Sequence, residues 1–298
     1  MAGHDKGMKI LVIDGSNICH RSHWGMSSTE MRDEAGNATW ALHGIVTTIS
    51  RLINDVGPTH VIVAGDAKGT SGTRRAMLPE YKATRSAAEP DLRYALDTYP
   101  RMLESIGISF LSDETWEGDD VMASVARWGR ENNAEVFLVT SDKDAYPLID
   151  DNYCRLINPD GTRVTSKRVE TKYGIPHHLY THMAALCGEK SDNIPGIPKV
   201  GPKTAAVLIN AFGASLTEAV TDEAKLATVL SAKMAANVAA HSERYLFNLS
   251  LIKLREHINV DEAVAQSALS SIDPAAALAF LTGMGLKTAG AHFSRAVS

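Results

Sequence analysis

Residues 9–17 read KILVIDGSN, a run of apolar side chains at 10–13 that ends in Asp14 and Gly15. A short, β-branched apolar run closed by a turn signal reads as a buried strand. Three more such runs follow at 61–64, 108–111 and 136–139, and the second ends in Gly65 and Asp66. Between them lie longer helix-like stretches at 40–53, 94–105 and 118–130. Strands alternating with helices predict an α/β domain with a mostly parallel central sheet. Open sheets of that kind bind ligands at the carboxyl ends of their strands. Here those ends are acidic: Asp14, Asp66, and Asp142 with Asp144, while Glu117 follows the third run by six residues.

From about Thr165 the texture changes to glycine- and proline-punctuated, then alanine-rich, helical sequence. The expected organisation is therefore an α/β domain over 1–164 and a helical region over 165–298. The last stretch, 273–298, reads as a helix, a glycine turn and a second short helix. The chain has 298 residues and a net charge of −5, which neither favours nor excludes a polyanionic partner, because a cluster of carboxylates would mask a basic surface. No apolar run is long enough for a membrane span, and the polar start lacks a secretory signal. Cys19, Cys154 and Cys187 lie far apart without zinc or disulfide spacing, so a reducing, cytoplasmic setting is expected. A phosphate-binding GxxxxGK[ST] loop, a GxSxG elbow and an HExxH motif are all missing. The adjacent His177 and His178 read as part of a helix start.

The carboxylates carry the chemistry. They are Asp14, Asp66, Glu117, Asp119, Asp120, Asp142, Asp144, Glu189 and Asp192. Any one aspartate at a first helical turn is an ordinary cap. Several strand ends, however, do not need acidic pairs for folding. Brought together, such groups repel one another and gain proton affinity. Hard divalent ions would relieve that repulsion, and a pair of them could activate water and stabilise the leaving oxygen of a phosphodiester. Read as one of the repelling acids, Asp120 is expected to tolerate neutralisation to Asn without loss of fold.

Two further stretches fit a nucleic-acid ligand. Between Lys68 and Arg93 lie Arg74, Arg75, Lys82 and Arg85, diluted by Glu80, Glu89 and Asp91. This segment, at about 67–93, is expected to form a mobile or partly helical cover whose cations draw in phosphates and whose Tyr81 stacks on a base. Residues 194–212, IPGIPKVGPKTAAVLINAF, read as a Gly/Pro hairpin leading into a helix that starts near Pro202. The exposed amides of such a helix start bind phosphate without reading base sequence, and Lys199 and Lys203 add charge.

Together these motifs resemble the 5′-3′ exonuclease/flap-endonuclease family, most closely the 5′ nuclease domain of bacterial DNA polymerase I and its stand-alone phage and bacterial relatives. The blocks run in the family's order: LVIDGSN, GDAKGTSGTRRAMLPEYKATR, WEGDDVMASVA, VTSDKDAYPL and GEKSDNIPGIPKVGPKTA. The likeness covers roughly 9–293 and includes KYGIP at 172–176 and the closing LAFLTGMGLKT.

The resemblance implies a PIN-like α/β fold, a basic arch or clamp, and a helix-hairpin-helix at about 185–212. It implies structure-selective 5′-3′ exonuclease and 5′-flap endonuclease action on DNA. Asp14, Asp66, Glu117, Asp119, Asp120, Lys82 and Arg85 would be catalytic. The metal ligands, for two Mg²⁺ with Mn²⁺ as substitute, would be those same five acids with Asp142, Asp144, Glu189 and Asp192. Arg74, Arg75, Tyr81, Lys82, Arg85, Lys199, Gly201, Lys203 and Thr204 would meet DNA, and K⁺ would sit on hairpin carbonyls. DNA with 5′ flaps, nicks or ends, a separately encoded polymerase and a monomeric protein complete the expectation. A junction-binding protein with little catalysis and a nuclease acting on RNA in RNA–DNA hybrids are the alternatives. Two departures stand out. The family usually has Asp where this chain has Glu189, and commonly Gly where it has Lys199.

Overall fold

The computed structural model describes residues 7–67 and 72–298; Lys68, one of the basic residues named above, lies outside them. The four apolar runs become parallel strands because they have no solvent-facing side to spare. Of β1 (Lys9–Asp14), Leu11 and Ile13 face one apolar cluster and Ile10 and Val12 the other. It lies mid-sheet between β2 (His60–Ala64) and β4 (Glu135–Val139), in the order β3-β2-β1-β4-β5-β6. Strand β3 (Ser109–Leu111) flanks β2; beyond β4 lie β5 (Cys154–Ile157) and a short antiparallel β6 (Arg163–Val164). The first face carries α1 (Gly15–Met26), α2 (Trp40–Val56) and α4 (Pro90–Ser105), and the second carries α5 (Gly118–Glu131). Helix α3 (Gly72–Met77) opens the basic segment, which is partly helical as expected.

The chain leaves β1 toward β2 on one side and returns to β4 on the other. This reversal opens a crevice beyond the carboxyl ends of β1 and β4, where doubly wound sheets place their ligands.

The helical region follows: α6 (Ser166–Tyr173), α7 (Tyr180–Cys187), the two-residue strands β7 (Gly188–Glu189) and β8 (Ile194–Pro195), then α8 (Pro202–Phe212). Short helices α9 (Leu216–Ala219) and α10 (Glu223–Leu226) precede α11 (Ala232–Ala240) and α12 (Ser242–Ile252). The β7–β8 pairing, which the sequence reading left out, depends on two glycines crossing. A Cβ on Gly188 would stand 2.2 Å from the Gly196 nitrogen, and one on Gly196 would stand 2.2 Å from the Cys187 carbonyl group.

The division at 164/165 needs correction. After α12 the chain returns to the α/β domain. Val260 and Val264, the latter in α13 (Asp261–Gln266), pack beneath the sheet with α5. Helices α14 (Pro274–Gly283) and α15 (Lys287–Val297) form the predicted helical pair. They bury Leu281, Leu286 and Phe293 in the cluster that also holds α2. Their apolar positions are what the first face of the sheet lacks, so composition alone misassigned them.

Candidate active site

The acids gather around a cleft of about 540 Å³ at the switch point of the sheet. Asp14 ends β1 and caps α1: its Oδ1 accepts the Asn17 N–H at 2.8 Å and its Oδ2 accepts the Thr140 hydroxyl at 2.8 Å. The same Thr140 oxygen accepts the Asp142 N–H at 3.0 Å, so a buried threonine ties the ends of β1 and β4 together. Asp66 Oδ1 accepts the Gly118 N–H at 2.7 Å, at the start of α5. That contact needs a close approach, since a Cβ on Gly118 would stand 3.1 Å from the Gly65 backbone. Asp119 stands next along α5 and also lines the cleft. Asp142 and Asp144 lie at the start of the 3₁₀ turn Lys143–Leu148, where Asp142 Oδ1 accepts the Asp144 N–H at 2.9 Å. Glu189 and Asp192 come from the helical region, on β7 and the turn after it.

The electrostatics are those of an acidic site short of counter-charge. Burial pushes Asp14 up to about 6, with Asp142 and Asp66 adding to it against the hydrogen bonds from Asn17 and Thr140. Asp119 is held well above the carboxylate range by burial and by Asp14, Asp142 and Asp144. Asp144 is raised likewise by burial, Glu189, Asp142 and Asp192. Glu189 rises to about 7 through burial, Asp142 and Asp192. Among the described residues, one buried oxygen on each of Asp144 and Glu189 has no hydrogen-bond partner. Orphaned, desolvated carboxylate oxygens are what hard divalent cations satisfy. The orphaned oxygens, including that of Glu189, fit such ions. Among the described residues no three acidic, histidine or cysteine side chains already form a cage around one point. Seven of the nine acids line the open cleft; Asp120 and Glu189 do not.

Three assignments need correction. Asp120 is fully buried, and all its accepting positions are taken. Oδ1 accepts from Arg74 Nη2 at 2.9 Å and the Arg255 N–H at 2.8 Å; Oδ2 accepts from Arg74 Nη1 at 2.7 Å and the Glu117 N–H at 3.1 Å. It is the counter-ion of a buried arginine, not an open metal ligand, so its neutralisation would not be harmless. Arg74, expected on DNA, is buried; it also donates to Glu117 Oε2 at 3.1 Å and to the Leu251 carbonyl at 3.1 Å. Tyr81, expected to stack on a base, is 3% exposed. Its hydroxyl shares one proton between Glu117 Oε2 at 3.0 Å and Asp192 Oδ2 at 3.1 Å, and its ring packs with the helical region. A basic or aromatic residue in a polar segment gives no sign of facing inward until its partners are in place.

Glu117 is buried beneath three donors, the third being Lys82 Nζ at 2.9 Å from Oε1. Arg85 Nη2 reaches Asp192 Oδ1 at 2.6 Å. Lys82 and Arg85 thus line the cleft as expected, neutralising the acids on its rim, and Arg75 is exposed on α3. Lys82 adopts a left-handed φ of 55°, and its N–H donates to the Asp192 carbonyl at 2.9 Å, bridging arch and turn. His177 holds the Ile149 carbonyl and Glu170 in a structural role. Sequence reasoning missed Thr140, Arg255 and the cleft-lining His20, whose roles depend on partners distant in sequence.

At the hairpin, α8 begins at Pro202 with Gly201 as its cap, and Lys199 and Lys203 are exposed beside the partly buried Gly201 and Thr204. Lys199 has φ 65°, the left-handed region that favours glycine. The Pro198 carbonyl is already engaged by Asn237 Nδ2 at 2.8 Å.

Comparison with known proteins gives the same picture. Residues 9–174 match the model of the 5′-3′ exonuclease N-terminal resolvase-like domain, and 175–275 that of the 5′-3′ exonuclease C-terminal SAM fold. DNA polymerase I of Mycobacterium tuberculosis is 34% identical over 68% of the chain, which spans only 23% of that protein. A 5′-3′ exonuclease of Buchnera aphidicola is 30% identical over 86% of this chain and 90% of its own length. The bacteriophage T5 flap endonuclease crystallised with DNA and metal ions superposes with a TM-score of 0.66 at 20% identity, covering 97% of this chain and 99% of that one. The Rad2 catalytic core in complex with DNA substrate gives 0.53 at 12% identity, over 93% and 88%. Those structural likenesses speak for the fold alone. Matched in order by both domain models along most of its length, the chain belongs to the 5′-3′ exonuclease family.

Proposed function

We propose that this protein is a divalent-metal-dependent 5′-3′ exonuclease and 5′-flap endonuclease that hydrolyses DNA near junctions of single and double strand. The observation that carries the reading is the pair of buried carboxylate oxygens on Asp144 and Glu189 that have no partner among the described residues, where Asp144 lines one cleft with Asp14, Asp66 and Asp119 and Glu189 stands close enough to raise it. A pair of Mg²⁺ ions, for which Mn²⁺ would substitute, supplies Lewis acidity at the scissile phosphate when bound there. Asp14, Asp66, Asp119 and Asp142 would hold one side of the site, and Asp144, Glu189 and Asp192 the other. Lys82 and Arg85 exchange Glu117 and Asp192 for the non-bridging phosphate oxygens, which moves positive charge onto the reacting group. Arg74 and Tyr81 keep Glu117 and Asp192 oriented while that exchange takes place. Lys199, Lys203 and the free amides at the start of α8 hold the duplex by its phosphates, without sequence preference. A K⁺ ion on the remaining hairpin carbonyls, a monomeric protein, a cytoplasmic setting and association with a DNA polymerase complete the proposal.

The test is cleavage of end-labelled flap, nicked and blunt duplexes in Mg²⁺, Mn²⁺ or EDTA. Flap and nicked substrates should be cut with either ion and none in EDTA. Undiminished cleavage by chelated protein would remove the metal from the mechanism.

A further inference from the structure

Asp144 and Glu189 belong to different parts of the chain. Asp144 sits in the 3₁₀ turn after β4, whereas Glu189 follows α7 in the helical region. Something must hold the two carboxylates at a fixed separation if they are to share a cation, because ion affinity depends on ligand geometry.

Three tyrosines stand at that seam. Tyr146 lies two residues beyond Asp144 in the same turn, Tyr173 ends α6, and Tyr180 begins the helix that runs into Glu189. Their rings meet pairwise. Tyr146 and Tyr180 approach edge to face at 5.0 Å and 72°, and Tyr173 and Tyr180 likewise at 5.0 Å and 68°, while Tyr146 and Tyr173 are tilted at 5.9 Å and 51°. Tyr180 is buried in the core of the helical region, while Tyr146 and Tyr173 pack against both that core and the one beneath the sheet. Burial raises the Tyr180 phenol, and Tyr173, Glu189 and Asp144 push it the same way, as proximity to both acids requires. The His177 ring adds a parallel tie, 3.0 Å from the Ile149 carbonyl just beyond the turn.

We infer that the Tyr146–Tyr173–Tyr180 cluster is a positioning device that fixes Asp144 relative to Glu189 and so builds the second of the two cation sites. The inference rests on the two-ion reading proposed above. On this reading the rigidity comes from the ring contacts rather than from the hydrogen bonds that Tyr173 shares with Tyr146 and Tyr180. Such ring pairs stabilise beyond their buried area, enough to hold a seam without holding the whole fold.

The experiment counts Mn²⁺ ions bound to the whole protein by electron paramagnetic resonance, without DNA and without turnover. Tyr146→Leu and Tyr173→Leu are the test variants, because both residues are only partly buried and the fold should survive; circular dichroism checks that it does. Tyr146→Phe and Tyr180→Phe keep the rings. Glu189→Gln marks the second site and Asp119→Asn the first. The Leu variants should weaken the site marked by Glu189→Gln by about tenfold, the usual effect of losing a supporting group around a metal. The other site should stay within about twofold, and the Phe variants should match the unaltered protein. Two wild-type sites with unchanged affinities in the folded Leu variants would overturn the tyrosine inference alone. So would equal weakening of both sites, which would mean general loosening, or loss of affinity in the Phe variants. Fewer than two sites in the unaltered protein would overturn the two-ion reading and this inference with it.

Discussion

Asp119 and Asp120 are neighbours in sequence, and replacing each by Asn should move stability in opposite directions. In Asp120→Asn the amide keeps one acceptor. Turned one way, its NH₂ faces Arg74 Nη1 and the Glu117 N–H; turned the other, it faces Arg74 Nη2 and the Arg255 N–H. Either orientation loses two of the four hydrogen bonds, one of them charge-assisted, and leaves the buried guanidinium with Glu117 as its remaining carboxylate. A charge-assisted bond of about 1.5–3 kcal/mol and a neutral one of about 1 kcal/mol give a loss of roughly 2.5–4 kcal/mol. That overlaps the range of about 3–5 kcal/mol for breaking a buried ion pair. For a chain of this size it lowers the melting temperature by roughly 5–10 °C. Asp119→Asn makes the same charge change where burial and three like charges already oppose ionisation, so it should raise the melting temperature in EDTA. Its single-turnover cleavage of a 5′-flap substrate should nevertheless fall by on the order of a hundredfold or more, since a cleft ligand is lost. Thermal unfolding by circular dichroism at near-neutral pH, in EDTA, measures both. An Asp120→Asn protein melting within about 2 °C of the unaltered one would refute the buried-pair account.

Metal-free protein should lose stability as pH rises. Asp14 and Glu189 are shifted upward, to about 6 and about 7, so the unfolded chain ionises first and the loss develops from the ordinary carboxylate range up to those values. Added Mg²⁺ should restore more stability above pH 7 than below pH 5, and an equal gain at both would detach these acids from the ion site. Lys199→Gly should stabilise the hairpin by about 1 kcal/mol, because its φ of 65° strains a residue with a Cβ. Denaturant melts resolve a change of that size. The pair Lys199→Ala and Lys203→Ala should reduce the slope of log affinity against log salt by about two if both meet phosphate, and an unchanged slope would place them off the DNA path. Lys82→Ala should slow cleavage even at saturating DNA, as loss of transition-state charge requires; full recovery at high DNA would make it a capture residue only.

The parts of this molecule legible in its sequence are those set by local pattern. The four strand runs, the helix over 118–130 and the start of α8 at Pro202 follow from periodicity and capping, and all appear within a few residues of expectation. The left-handed backbone at Lys199 was also legible, because glycine commonly occupies that place in the family the motifs resemble. What depends on long-range partners was not. Asp120 looks like Asp119 in the string WEGDD, and only the arrival of Arg74 from α3 and the Arg255 amide from beyond α12 separates a buried counter-ion from a cleft ligand. Tyr81 has the surroundings of an exposed arch residue, and its burial comes from α7 and its neighbours folding against it. Helices α14 and α15 read as helical in isolation, and nothing local says which apolar surface receives them.

The return of those two helices to α2 has a consequence for how the protein is made. Leu281, Leu286 and Phe293 complete an apolar layer begun by strands near residue 10 and by α2. During synthesis the first face of the sheet must wait for residues 274–297 to leave the ribosome before it is covered. At about 5–20 residues per second, that delay is on the order of ten seconds or more, during which aliphatic surface on α2 stays open to chaperones and to other nascent chains. The helical region, whose own core spans mainly 175–252, can settle in the meantime. The region spanning 175–252 is then expected to fold ahead of the α/β domain whose strands precede it.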